Sequence, residues 1–129
     1  MVDLDYISNI QPEIEPLSRP TFLFCGAAGY PNTIQFCIQS FEALNYPSAR
    51  LIIVAGGSEQ EVSIVRKRIH ESAKSTSITH LMNLTDAELY ALYKSSDALL
   101  IPLFDTIKDR ARFPHKLGEY LASGKPVIT

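Results

Sequence analysis

The sequence predicts an α/β fold with a doubly wound, Rossmann-like parallel sheet, and three observations carry that prediction. Short unbroken apolar runs recur at residues 21–25, 50–55 and 98–103, the pattern of strands covered on both faces. Between them lie segments with apolar residues three and four apart, the spacing of a helix that buries one face. The two kinds alternate, strand then helix four times and then a fifth strand, so the strands are joined by crossovers and lie parallel.

Composition bounds what such a domain does. A length of 129 residues, 46% hydrophobic and 20% charged, suits a single globular domain with its own core. A net charge of -2 argues against a nucleic-acid surface, which needs a clustered basic excess. No apolar run is long enough to span a bilayer, and the start, Met1-Val2-Asp3-Leu4-Asp5, has no basic region before an apolar core, so a cytoplasmic chain is expected. Cys25 falls in a strand pattern and Cys37 in a helix pattern; both are read as reduced thiols rather than a disulfide, and no His, Cys, Asp or Glu cluster has metal-ligand spacing.

Residues 1–20 contain Pro12, Pro16 and Pro20 with scattered Leu4, Tyr6, Ile7 and Ile10, and no periodicity persists, so they read as a linker or N-terminal extension. Residues 21–25 form the first strand and Gly26-Ala27-Ala28-Gly29-Tyr30-Pro31 a tight loop; Asn32 with Gln35 is read as a capping box opening a helix with Ile34, Cys37, Ile38, Phe41 and Leu44 on one face. Residues 50–55 are the second strand. Ser58 and Glu61 form another capping box, before a helix that buries Val62, Val65, Ile69 and Ala73 and turns Arg66, Lys67, Arg68 and Glu71 to solvent. Residues 78–82 are a weak third strand, after which Thr85 and Glu88 cap a helix bearing Leu89, Leu92 and Tyr93. Residues 98–103 are the fourth strand and 104–112 a polar loop. His70 and His80 look structural.

The last element is the most informative. Pro114 suits a first helical position, Gly124 a helix stop and Pro126 bars continuation, so 114–123 read as a helix feeding a strand at 127–129. Leu117, Tyr120 and Leu121 fall on one apolar stripe, with His115, Lys116 and Glu119 on much of the opposite side. The unpaired N–H groups and partial positive charge of the helix N-terminus make an anion site that Lys116 reinforces, while Glu119, nearly a turn deeper, is placed to accept from hydroxyls. Taken alone, Lys116 and Glu119 also read as a surface ion pair worth ~0.2–0.5 kcal/mol. Arg110 and Arg112 are either solvated loop charges or bidentate phosphate ligands. The Gly26–Gly29 stretch is either a turn or a place where small residues let backbone approach a phosphate; it has neither the third glycine of the dinucleotide fingerprint nor the Gly-Lys-Ser/Thr ending of a P-loop.

Phe113-Pro114-x-Lys116-x-x-Glu119-Tyr120-Leu121-Ala122-x-Gly124-Lys125-Pro126-Val127 resembles the donor-sugar motif in the C-terminal half of GT-B glycosyltransferases, in particular the retaining family 4 (group 1) enzymes. The likeness extends to Thr85-Asp86-Ala87-Glu88-Leu89 and to Ser96-Asp97-Ala98-Leu99-Leu100-Ile101-Pro102, and covers roughly residues 21–129. It implies a partial, truncated donor-nucleotide-binding domain: the helix N-terminus holds the diphosphate of a UDP- or GDP-sugar, Glu119 holds the ribose, and no metal or other cofactor is needed. Gly26, Ala27 and Gly29 are then donor-loop positions, His115 is counted with them, and Lys116 with Arg112 balances the charge of the leaving diphosphate. One position departs: the family has a second glutamate eight residues before the one matching Glu119, and here it is Ala111, so the sugar contact falls to another residue such as Asp105 or Asp109. The acceptor is implied to bind an N-terminal domain outside these residues, the relatives to continue past the fifth strand, and the isolated domain to be inactive; the resemblance leaves room for peripheral membrane association of the longer enzyme. The alternatives are a non-catalytic nucleotide-binding or regulatory flavodoxin-like module and, behind it, a nicotinamide enzyme.

Overall fold

The computed structural model describes residues 20–102 and 115–129, with side-chain surroundings from 118 onward in the second stretch. In chain order the elements are β1 (Thr21–Ala27), α1 (Pro31–Glu42), β2 (Arg50–Gly56), α2 (Glu59–His70), a single 3₁₀ turn (Ser75–Ser77), β3 (Ile78–Leu81), α3 (Asp86–Ser95), β4 (Ala98–Leu100), α4 (His115–Ala122) and β5 (Val127–Ile128). All strand pairs are parallel and the spatial order is β3-β2-β1-β4-β5, which is the doubly wound α/β sheet that the alternation predicts. Of the residues read as an N-terminal linker only Pro20 is described; its carbonyl accepts from Arg50 N–H at 2.9 Å.

The strands are apolar throughout because each face meets a helix layer. Phe24, Leu51, Ile53, Ala55 and Ile78 pack against Ile34, Cys37, Ile38 and Phe41 of α1 and Val62, Val65 and Ile69 of α2. Leu23, Ile52, Val54, Leu99 and Ile101 point the other way, against Leu92 and Tyr93 of α3 and Tyr120 of α4. Each such Leu, Ile or Val contributes ~1.5–3 kcal/mol on burial, so a one-residue slip that exchanged the two sets would be heavily penalised. The register places Phe24 between Ile53 of β2 and Leu100 of β4.

Several local expectations are corrected. Helix α1 opens one residue before the expected capping box, with Pro31 in its first turn and no side-chain cap from Tyr30, since a proline in that turn gives up no needed N–H. The Gln35 amide oxygen instead accepts from Arg68 at 3.5 Å, and the same Arg68 Nη1 donates to Pro31 O at 3.2 Å, so Arg68 ties α2 to the start of α1 rather than facing solvent. Ala73 lies beyond α2 and is exposed. The C-terminus of α1 is closed by Lys74, whose ammonium donates to Phe41 O at 3.2 Å and to Leu44 O, and sits 5.3 Å from the Phe41 ring centre. The Ser58 box forms, with Ser58 Oγ accepting from Glu61 N–H and Glu61 accepting from Ser58 N–H; at α3 the cap forms without the reciprocal half, Thr85 Oγ1 accepting from Glu88 N–H and the Thr85 hydroxyl donating to Glu88 Oε1.

His80, in β3, donates from Nε2 to Ala55 O at 2.8 Å, a structural role. Cys37 is buried, which pushes its thiol up to about 12, as expected of an inert reduced cysteine. Among the described residues no helix is long and apolar enough to cross a membrane.

Candidate functional site

Strand β1 pairs with β2 on one side and β4 on the other, so the chain winds outward in both directions from the β1–β4 boundary. In open parallel sheets ligands bind outside the carboxyl ends of the strands at that reversal. The residues arriving there are the end of β1 with its following loop, and the helix that follows β4.

The first wall is longer in strand than the sequence reading allowed. Gly26 and Ala27 belong to β1, paired with Ala55 and Gly56, because β2 continues far enough to extend the ladder past Cys25. The turn proper is Ala28 to Tyr30, with Ala28 N–H on Gly56 O at 3.0 Å and Tyr30 N–H on Ala27 O at 3.3 Å. A Cβ at Gly29 would meet Glu61 Oε2, and one at Gly57 would come within 2.8 Å of Glu61 Oε1. Both positions therefore make room for the carboxylate that caps α2. The Ser58 N–H donated to it holds Glu61 below the usual carboxylate range, so this edge of the loop carries a fixed negative charge.

The second wall is α4. Its first two residues are His115 and Lys116, placed by the helix itself at the N-terminal end; their side chains, together with Asp105, Asp109, Arg110, Ala111 and Arg112, lie outside the described residues. Glu119 is half-buried and Tyr120 is fully buried, while Leu121 is 61% exposed, so the expected apolar stripe is narrower than its spacing suggested. Helix α4 is anchored through Tyr120. After Ala122 the chain turns at Gly124, whose φ of +78° suits a residue without a Cβ, and Gly124 N–H closes on Leu121 O at 3.1 Å before β5 begins.

What joins the two walls was not legible in the sequence. Cys25 N–H donates to the Tyr120 hydroxyl at 3.0 Å, across 95 residues of chain. Tyr93, fully buried on α3, meets the Tyr120 ring edge-on at 5.1 Å between centres with an interplanar angle of 81°, and its hydroxyl donates to Glu119 Oε2 at 3.2 Å. Burial holds both phenols well above the ordinary phenol range, with Cys25 and the neighbouring tyrosine adding to the effect at Tyr93, so both remain neutral hydroxyls. The arrangement brings Glu119 beside the end of β1 through its neighbour Tyr120. Gly26, Ala27 and Glu119 thus share the carboxyl edge of the sheet. The signal that could have revealed the link is the residue type: a tyrosine at a core position needs a partner for its hydroxyl, and two of them on different helices imply a shared polar point inside the core. Among the described residues no group of three or more His, Cys, Asp or Glu side chains is placed to hold a metal ion.

Comparison with known proteins agrees with this architecture. The family model described as glycosyl transferases, group 1, matches residues 19–129. No curated protein sequence matches the chain. Among solved structures, the C-terminal domain of a glycosyl transferase group 1 family protein, LpcC, from Francisella tularensis superposes with a TM-score of 0.65 at 12% identity, covering 98% of this chain and 69% of that one. An apo structure of OtsA matches with a TM-score of 0.63 at 18% identity over 95% of this chain and 32% of its own. A third, described as trehalose-6-phosphate from E. coli bound with UDP-2-fluoro glucose, matches with a TM-score of 0.54 at 17% identity over 93% of this chain and 28% of its own. The chain therefore spans about a third of the length of the OtsA chain, and at these identities the likeness is one of fold.

Proposed function

Since this chain belongs to the group 1 glycosyl transferases, we propose that its switch-point site binds the nucleoside diphosphate part of a sugar nucleotide. In this reading the first turn of α4, with Lys116, receives the diphosphate, and Glu119 accepts the ribose hydroxyls. The diphosphate sits against the Gly26–Ala27 end of the first wall, since the Gly29 end faces the charged Glu61. His115, and Arg112 three positions before it in the sequence, belong to the same anion site in this reading. Lys116 and Arg112 stabilise the charge that develops on the departing diphosphate during sugar transfer. The observation that carries the reading is the Cys25–Tyr120 hydrogen bond, because it fixes the Glu119-bearing turn of α4 against the end of β1 at the sheet's reversal point.

The donor is a UDP- or GDP-sugar, and UDP is the first to try because a solved chain of the same fold holds UDP-2-fluoro glucose. The acceptor belongs to a separate domain, so this chain supplies one wall of the reaction cleft and forms no glycoside alone. Proximity of donor and acceptor in a closed cleft accounts for ~7–11 kcal/mol of barrier lowering, and an isolated wall lacks it. The test is a thermal-unfolding titration of the chain with UDP, GDP, ADP and the matching free nucleosides. A ligand that binds only the folded state raises the midpoint with concentration. At least one diphosphate is expected to do so more strongly than its nucleoside; equal or absent shifts across the panel sink the proposal.

A further inference from the structure

The Tyr93 hydroxyl, in the second core layer, has a carboxylate of the candidate site as a partner. Tyr93 is fully buried on α3, and its ring contacts those of Tyr90, 5.8 Å away between centres, and Tyr120, 5.1 Å away edge-on. Full burial with these two ring contacts leaves the phenol ring little freedom to move, so the place of its hydroxyl is set by the core. That O–H donates to Glu119 Oε2 at 3.2 Å. Core packing alone is served as well by phenylalanine, and a tyrosine needing any acceptor has backbone carbonyls to choose from; here the acceptor is a half-buried side chain with three rotatable bonds, on a different helix.

We propose that Tyr93 is a positioning residue for Glu119, its buried hydroxyl fixing the carboxylate in the orientation that receives ribose hydroxyls. This deepens the donor-site reading above and rests on it. The physical effect is preorganisation: an unrestrained glutamate loses rotamer freedom when it grips a ligand, whereas one already held by a rigid donor has lost that freedom on folding. A carboxylate offers about four acceptor positions, so a bond from Tyr93 does not exhaust it. Because burial keeps the Tyr93 hydroxyl protonated, the donor is present throughout the neutral range.

The experiment is calorimetric titration of the 129-residue chain with UDP and GDP and with their 2′-deoxy analogues, for wild type, Tyr93→Phe, Glu119→Ala and the double variant. Tyr93→Phe is expected to weaken ribonucleotide binding about fivefold, the net effect of one hydrogen bond, and the 2′-deoxy analogue by less than about twofold. In the Glu119→Ala background Tyr93→Phe is expected to add nothing, since its effect passes through that carboxylate. A structural role alone would instead weaken both ligands equally and add in the double variant, and either result overturns the proposal while leaving the donor site standing, as does unchanged binding by Tyr93→Phe. If Glu119→Ala weakens the ribonucleotide and its 2′-deoxy analogue equally, or neither diphosphate binds the wild type, the donor-site reading falls and this inference with it.

Discussion

The backbone N–H of Cys25, at the point where β1 outruns β4, is received by the hydroxyl of Tyr120 on α4 at 3.0 Å. The ladder between β1 and β4 ends at Phe24 and Leu100, so Tyr120 meets β1 one residue past the last paired position. This bond locks α4 onto the carboxyl edge of the sheet.

Tyr120→Phe therefore keeps the ring in the core and removes only the acceptor. One intramolecular hydrogen bond contributes about 0.5–1.5 kcal/mol net, so the variant is expected to lose that much stability in urea denaturation with an unchanged dependence on denaturant. A loss below about 0.5 kcal/mol would mean that water or a backbone shift satisfies Cys25 as well as the phenol does.

The two layers of the fold were legible in the sequence because burial of strands on both faces leaves a direct mark, as in residues 51–55, all of which are buried. The caps at Ser58 and Thr85 were legible for the same kind of reason: an oxygen three residues from its N–H partner is a local fact. Arg68 on Pro31, Lys74 on the end of α1 and Tyr120 on Cys25 were not, since each joins residues more than thirty apart and their meeting is decided by packing. The Gly26–Gly29 stretch shows the middle case. Its smallness was evident, but that Gly26 is strand and that Gly29 yields to Glu61 depends on how far β2 runs and where α2 is capped. Glu119 was singled out by its place on the last helix, yet the tyrosine that holds it sat unnoticed among the apolar residues of α3.

Asp97 accepts from Thr21 N–H at 2.7 Å, while its own N–H donates to Thr21 O at 2.8 Å, so it fastens the start of β1 to the start of β4 from both sides. Asp97→Ala retains the backbone bond and loses the carboxylate. A hydrogen bond to a charged group contributes about 1.5–3 kcal/mol, and a loss of that size is expected by chemical denaturation. Asp97→Asn, whose amide oxygen still accepts, should recover most of it; no recovery would assign the effect to charge rather than to this bond.

As the proposed diphosphate ligand, Lys116 makes a definite prediction: Lys116→Ala is expected to weaken nucleoside diphosphate binding by ~1.5–3 kcal/mol and to leave nucleoside binding nearly unchanged. Paired titrations with UDP and uridine report the difference. Equal losses for both ligands would remove Lys116 from the diphosphate site.

Alkaline pH should unfold the protein through groups whose protons the core protects. Burial raises the Cys37 thiol from 9.0 to about 12 and raises both Tyr93 and Tyr120 above the ordinary value of 10.0. The sign follows from which state binds more protons. Above the unfolded value of each group the unfolded chain releases a proton that the folded chain keeps, so stability is fully present below that value and is lost as pH rises towards the folded one. Stability is thus expected to hold up to about pH 8.5, to decline between about 9 and 12 as Cys37 comes into play, and to steepen above about 10 when the tyrosines join, each group contributing a slope of up to roughly 1.4 kcal/mol per pH unit. Cys37→Ala should remove the onset below pH 10 at the cost of a small cavity, and Tyr93→Phe should flatten the region above it. Urea denaturation at half-unit intervals from pH 7 to 11 measures the curve. A wild-type profile that stays level to pH 11, or a Cys37→Ala profile parallel to it throughout, would show that these groups open to water more readily than their burial among Ile34, Ile38, Leu92 and Leu99 implies.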